Sequence, residues 1–432
     1  MRFLTKAAIP FIIFIVTWYT WNTQWGKDHW NDIIETDAKG YYAYLPAVFI
    51  YHDLNFGFID SIEKKYYNPH TVYEFRTRYN GRLIDKYFAG TAVAEFPFFV
   101  CAHLISKITG KAADGYSKLY PKFINIGAIV YLMIGLVYIR RLLRTLEVKE
   151  GVIAFILCVI ALGTNIFLYT VCEPGMSHVY SFAFISMFVY YSRMYFKRQG
   201  RREVLYCGLL TGIIILIRPV NGIILLALPF IAGSKEKFID GINTAVKEKT
   251  ILVFSFLAAI AVISIQLVIY KIQCGEFFVY AYGDEKINWA HPNFINFLFS
   301  YKKGFFVYTP VAFVSLAGFI YLWKKNHFKF YTLILFCIVI IYVLSSWHSW
   351  WYGGSFSSRV MIDYYVFLGL LLSFTFKLFE SKTKKILLGA ALTLLLFLCQ
   401  VQTYQYRYYI IHWDNMTKEK YWDVFLKLPH KN

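Results

Sequence analysis

Charge is scarce in this chain. Only 16% of its 432 residues are Asp, Glu, Lys or Arg, against 58% hydrophobic ones, too few polar side chains to cover a water-soluble globule of this length. The cysteines lack pattern. They stand at positions 101, 158, 172, 207, 274, 337 and 399, most of them inside apolar runs, with no CxxC and no Cys/His spacing, which argues against both a disulfide framework and a zinc site. No internal repeat is visible, which weakens a transporter built from duplicated halves. No small-residue cleavage site follows the first apolar run, Ala7 to Trp21, so a retained first span is expected rather than a removed signal peptide.

What the chain has in excess is apolar length. Eleven candidate spans lie at 7–24, 122–139, 151–171, 177–192, 204–217, 220–232, 250–271, 305–323, 330–346, 361–376 and 386–404, several near the ~20 residues a helix needs to cross a bilayer. The expected fold class is therefore an all-α polytopic membrane protein with about 11 transmembrane helices. A formal charge of +19 would suggest nucleic acid on a soluble basic face, but here the cations fall in short clusters between apolar runs. They read as a topology signal. With the run 88–108 treated as a juxtamembrane helix, the clusters 140–150, 193–203, 233–249, 324–329 and 377–385, with the N-terminus, hold about half of the 45 Lys and Arg residues on one side. The positive-inside rule makes that side cytoplasmic. The expected organisation is one transmembrane domain, 1–404, with an outer loop 25–121, followed by a short outer tail, 405–432.

Aromatics reach 20%, with 36 Tyr and 11 Trp; most suit membrane interfaces. Spans five and six are short and broken at Arg218-Pro219-Val220-Asn221, and interrupted helices tend to line a cavity. An outer loop of about a hundred residues exceeds what a connection needs, and loops of that size are usually functional.

Four outer segments concentrate polar groups. Asp37, in Glu35-Thr36-Asp37-Ala38, supplies a carboxylate for general-base work or for a divalent cation, with a solvated loop acid as the plainer reading. Glu173 and His178 flank a tight turn that could equally be a capped connection. Arg218 is an ionisable group at a helix break, suited to a carboxylate or lipid phosphate partner or to snorkelling at the interface. The run from Trp347 through Trp350, Trp351, Gly353, Gly354 and Ser355 to Arg359 offers aromatic faces for sugar or prenyl contact, small residues for anion approach, and a planar fork for phosphate.

This layout resembles the GT-C superfamily of membrane glycosyltransferases, which includes protein O-mannosyltransferases, oligosaccharyltransferase catalytic subunits and aminoarabinose transferases of lipid A. The resemblance rests on span one leading into a long outer loop with an early acid, Asp37 followed by Tyr41-Tyr42; on a juxtamembrane-like run, Phe88 to Ile108; on Glu173 in the place of the second acid; and on the Arg218-Pro219 break and the Trp350-to-Arg359 string. It implies a sugar moved from a polyprenyl-phosphate donor to a lipid, glycan or protein acceptor at the outer face of a bacterial inner membrane. In that reading Asp37 and Glu173 are catalytic, Arg359 and Arg218 hold the donor phosphate, and Tyr41, Tyr42, His178, Trp350, Trp351 and Ser355 contact substrate. No nucleic acid is implied. Ala38 follows Asp37 where the mannosyltransferases have Glu, and no DxD stands in the second outer loop, so a divalent cation, Mg or Mn, is left open as an alternative partner of Asp37, Glu173 and His178. A flippase or transporter of a lipid-linked saccharide is the rival from another class. It would place its ionisable residues near mid-membrane rather than on one face.

Overall fold

The computed structural model describes residues 2–26, 29–67 and 73–428; the first residue of the expected membrane domain, parts of its outer loop and the last four residues of the tail lie outside the described residues. The chain is an all-α bundle of membrane type with one small hairpin. Helix α1 (Arg2–Thr20) runs into a π-helical turn, Trp21–Trp25; α2 (Asp37–Pro46) and α3 (Ile59–Tyr66) follow, then the strands β1 (Arg76–Tyr79) and β2 (Arg82–Asp85). Next come α4 (Gly90–Ile108), α5 (Leu119–Thr145), α6 (Glu150–Leu162), α7 (Ile166–Val171), α8 (Ser177–Arg198) and α9 (Arg201–Ile217). A 3-10 segment, Pro219–Ala227, leads to α10 (Leu228–Ala232), α11 (Lys235–Lys247) and α12 (Lys249–Cys274). The short helices α13 (Phe294–Phe299), α14 (Phe305–Tyr308), α15 (Pro310–Ser315) and α16 (Ala317–Lys325) precede α17 (His327–Ser345). A second 3-10 segment, Arg359–Tyr364, opens α18 (Tyr365–Leu378), and α19 (Lys382–Arg407) and α20 (Lys418–Val424) close the chain.

Among the described residues six helices are long and apolar enough to cross a membrane: α4, α5, α12, α17, α19 and the continuous stretch Arg359–Leu378. Several expected spans are interrupted. The segment 151–171 breaks after Leu162, where the buried Asn165 donates to the carbonyl of Phe356 at 3.0 Å and so ties the break to the Trp-rich loop. The segment 305–323 divides at Pro310, which lacks the donor a continuing helix requires.

The segments before and after α4 are both tied to α2. The hydroxyl of Tyr44 donates to the carbonyl of Tyr87 on the N-terminal flank of α4 (2.7 Å), and that of Tyr42 donates to the carbonyl of Gly115 beyond its C-terminus (2.5 Å). Both ties come from residues two apart on α2.

The hairpin departs from a purely helical expectation. Arg76 pairs with Asp85 and Tyr79 with Arg82 across the two-residue turn Asn80-Gly81, whose φ values of 49° and 78° are both positive, as the I′ turn of a tight hairpin requires.

The basic clusters converge at one end of the bundle. Arg201 pairs with Glu248 at 2.7 Å, Lys377 donates to the carbonyl of Leu146 at 2.7 Å, and Asn326 donates to the carbonyl of Gly233 at 3.2 Å. His178 and Arg218 stand at the far ends of α8 and α9 from the basic segment 193–203 that joins them.

Candidate active site

A cavity of about 1230 Å³ is lined by Asp37, Tyr41, Glu173, His178, Arg218 and Arg359, which lie as far apart in sequence as α2 and the segment opening α18. These six expected residues are brought together. Tyr42, Trp350, Trp351 and Ser355 are not among the lining residues. On a helix consecutive residues point about 100° apart; Tyr41 faces the cavity, while Tyr42 turns into the core beside Phe99 and Tyr116. In the Trp-rich loop, Tyr352 (φ 55°) and Gly353 (φ 65°) reverse the chain, and Trp347, His348 and Tyr352 line the cavity instead. Trp351 lies outside, with the ammonium of Lys302 over its ring at 3.8 Å. Ser355 is buried, its hydroxyl donating to the carbonyl of Trp351 at 3.0 Å.

Asp37 opens α2 directly after Thr36, a β-branched residue held at φ 51°. That conformation is costly for such a side chain and is typical of functional sites. Both carboxylate oxygens are engaged: Oδ2 meets Nη2 of Arg359 at 2.5 Å, and Oδ1 accepts from the hydroxyl of Tyr87 at 2.7 Å. Gly40 permits the second contact, since a Cβ there would stand 2.4 Å from the Tyr87 ring. Burial would raise the Asp37 carboxyl, but the Arg359 guanidinium and the Tyr87 hydroxyl outweigh it and hold the group below its ordinary value. As it stands, Asp37 is half of an ion pair and a weak base.

Arg359 uses its other atoms little. Among the described residues Nη1 reaches only the sulfur of Met176, at 3.5 Å, and Nε is buried without a partner. Glu173 lies in the turn between α7 and α8, with Oε2 buried and unpartnered among the described residues. Burial pushes its carboxyl up to about 7, against the opposing pull of Arg359 and Lys303. The two acids of one cavity therefore differ sharply: one is held ionised and one is poised near neutrality.

Arg218 and His178 form a second cluster around Asp363, which is fully buried. Asp363 Oδ1 meets His178 Nδ1 at 2.9 Å, and Oδ2 accepts from Arg218 Nη1 at 2.9 Å and from Asn221 Nδ2 at 2.8 Å. The backbone explains the placement. Pro219 disfavours helix at the residue before it, so Arg218 is extended (φ −150°, ψ 111°) and its side chain leaves the axis of α9.

Lys86 and Tyr87 line the same cavity without having been singled out in the sequence. Lys86 lies over the rings of Tyr73 and Tyr87, 4.9 and 5.3 Å from their centroids, and 3.6 Å from Glu285. Asn80-Gly81 was the signal that could have found them, because a two-residue hairpin brings its second strand, and the residues after it, back beside the first. Asp32, Glu35 and Arg407 line another stretch of the wall. Burial and neighbouring Asp32 push the Glu35 carboxyl up to about 7.

The donor set does not suit a divalent cation. Among the described residues no group of three or more His, Cys, Asp or Glu is placed to hold a metal. His178 is occupied by Asp363, and the guanidinium of Arg359 stands at Asp37 where a cation would bind.

No protein-family model matches the chain, and no curated protein matches it. Among solved structures it is similar to the crystal structure of the Archaeoglobus fulgidus oligosaccharyltransferase in the apo form, at 12% identity and a TM-score of 0.47. The alignment covers 98% of this chain and 60% of that one, so the chain spans less than two thirds of that protein's length.

Proposed function

We propose that this protein is a membrane glycosyltransferase that moves a sugar from a polyprenyl-phosphate donor to an acceptor hydroxyl. One observation carries the reading: an acid and an arginine fork, Asp37 and Arg359, meet at 2.5 Å in a cavity large enough for a lipid-linked sugar headgroup, at the end of the bundle away from the basic loops. The resemblance of the sequence to GT-C enzymes supports the same chemistry. By the positive-inside rule the basic end is cytoplasmic, the N-terminus included, and the cavity opens at the outer face of a bacterial inner membrane. A lipid carrier suits that location, because nucleotide sugars are confined to the cytoplasm.

The mechanism begins with an exchange of partners. The donor phosphate takes Arg359 from Asp37, forming charge-assisted hydrogen bonds to the fork, including the unpartnered Nε. Lys86 and, through its remaining donors, Arg218 add positive charge around it. Deprived of Arg359, the buried Asp37 carboxylate becomes more basic. It accepts the proton of the acceptor hydroxyl as that oxygen attacks the anomeric carbon. The bond from that carbon to the phosphate oxygen breaks, and the phosphate leaves with the electron pair, stabilised by Arg359. Base catalysis of this kind contributes about 10²–10⁴ in rate. Glu173, near neutrality and facing the same space, orients the acceptor through a hydrogen bond. No step passes through a metal.

The test is transfer from a panel of polyprenyl-phosphate sugars by purified protein in lipid nanodiscs, with Asp37→Asn and Arg359→Lys alongside wild type. Loss of transfer in both is expected, since Lys replaces a bidentate fork by a point charge. No transfer from any donor, with lipid-linked sugar still crossing between leaflets of liposomes, would replace the enzyme by a flippase.

A further inference from the structure

At the end of the bundle remote from the cavity, two cations share a cleft and, among the described residues, lack a counter-ion. Arg193 on α8 lies ~22 Å along that helix from His178, at 1.5 Å per residue. It faces Lys329 of α17 across a narrow space also lined by Leu142, Leu146, Phe230 and Phe374. Gly233, at φ 93°, makes room for both; a Cβ there would stand 3.0 Å from Cε of Lys329 and 3.1 Å from Nη1 of Arg193. Arg193 Nη1 donates to the carbonyls of Ile231 and Ala232, each at 3.0 Å, at the end of α10. Among the described residues its Nε is buried with no hydrogen-bond partner, which leaves one donor for an acceptor in the cleft.

The charges around Lys329 are Arg193, Lys377 and Lys237, all cations. Lys377 is offset by Glu147 and by the carbonyl of Leu146. Arg193 has the carbonyls of Ile231 and Ala232 but no carboxylate, and among the described residues neither Arg193 nor Lys329 enters an ion pair. Two like charges held together out of bulk water cost free energy unless an anion joins them.

We propose that this cleft is a binding site for the phosphate of an anionic phospholipid. The cleft, about 20 Å³, admits one water-sized group, which suits a single phosphate oxygen inserted between Arg193 and Lys329 with the rest of the headgroup outside. The surroundings favour a lipid over a free anion. Helix α11, joined to α10 by Gly233 and Ser234, is amphipathic, with Ile239, Ile242 and Val246 between 41% and 53% exposed, and such a face lies in the interface against acyl chains. Basic pockets between membrane helices on the cytoplasmic side take acidic headgroups for the same reason. The proposal is independent of the reaction assigned to the cavity.

The test uses the full chain in detergent, with native mass spectrometry and thermal unfolding in the presence of phosphatidylglycerol, phosphatidylcholine or inorganic phosphate. Wild type should retain phosphatidylglycerol about tenfold more tightly than phosphatidylcholine, the scale of one charge-assisted contact, and should gain thermal stability from it by mass action. The informative variant is Lys329→Gln, since among the described residues its ammonium has no protein partner to lose. It should unfold no earlier than wild type without lipid, and should lose the response to phosphatidylglycerol. Lys384→Gln, an exposed change on α19, should leave both readings unaltered. A response to phosphatidylglycerol that persists in Lys329→Gln, or equal retention of the two lipids, would overturn the site. Earlier unfolding of that variant in lipid-free detergent would show that Lys329 has a partner in the chain, and would also overturn it. Inorganic phosphate that matches phosphatidylglycerol would overturn the lipid as its source.

Discussion

The exchange of partners at Arg359 makes a prediction that a simple loss of function does not. Asp37→Asn should abolish transfer and yet bind the donor's lipid phosphate more tightly. The carboxylate and the guanidinium are 2.5 Å apart with side chains 16% and 11% exposed. At a charge separation of ~4 Å and an effective dielectric of 20, their attraction is ~4 kcal/mol, and an incoming phosphate must compete with it. Asn removes the charge but keeps the shape, so part of that attraction becomes available to the ligand. If about a third is recovered, ~1.4 kcal/mol, the gain is about tenfold in Kd. The transfer rate should fall by about 10²–10⁴, the loss of a general base. The assay measures both on one preparation in nanodiscs: displacement of a fluorescent polyprenyl phosphate by the sugar-free lipid phosphate, and single-turnover transfer from the donor. Tighter binding with lost transfer is the expected pair. Unchanged or weaker binding with transfer lost would refute the exchange while leaving the base in place, and wild-type transfer would remove Asp37 from the chemistry.

Three further perturbations test the surroundings. Because the folded-state Glu173 carboxyl is raised to about 7 from an ordinary 4.5, the folded protein holds a proton that the unfolded chain releases; its contribution is full below about pH 4.5 and is lost as pH rises toward 7. Glu173→Gln should flatten that decline in thermal stability between pH 4.5 and 8, and parallel curves for the two proteins would contradict the assignment. Asp363→Asn leaves the Arg218 charge without its buried partner and should cost about 3–5 kcal/mol, read as a lowered unfolding temperature; a change below about 1 kcal/mol would mean the cluster is solvated. Lys303, 2% exposed, donates to the carbonyls of Ser355 and Trp413 and so clasps the Gly-rich loop to the tail. Lys303→Met should free both segments and speed proteolysis after residue 407, whereas unaltered cleavage would show that the clasp does not hold the tail.

How far the site was legible follows from what each residue depends on. Asp37, Glu173, Arg218 and Arg359 could be found because apolar runs and basic clusters sort a membrane chain into two ends, and a polar residue at the less basic end stands out against little background. Lys86 could not be found that way. It lies in an outer loop that also holds Lys64, Lys65, Arg76, Arg78 and Arg82, and only the pairing of β1 with β2 selects which of these cations reaches the cavity. Tyr42 and the two tryptophans fall outside the cavity lining for a reason of direction. Reading Tyr41-Tyr42 and Trp350-Trp351 as pairs assumes that neighbours in sequence point the same way; Tyr42 turns from the cavity into the core, and Trp347 and Tyr352 line it in place of both tryptophans.

The chemistry of the acids was the least legible part, because it depends on distances. An outer-face carboxylate reads as a candidate base from sequence, but a carboxylate 2.5 Å from a guanidinium is held ionised, and its basicity then depends on whatever competes for that guanidinium. Glu173, almost equivalent by sequence, is the acid whose affinity for a proton is raised in the absence of ligand. If the proton of the acceptor goes to Asp37 only after phosphate has bound, the donor must precede the acceptor: acceptor alone meets a paired and unreactive carboxylate. Steady-state kinetics with both substrates varied should accordingly show ordered addition, donor first, in wild type. A random order would place the proton on Glu173 instead, since that carboxyl needs no exchange to accept it.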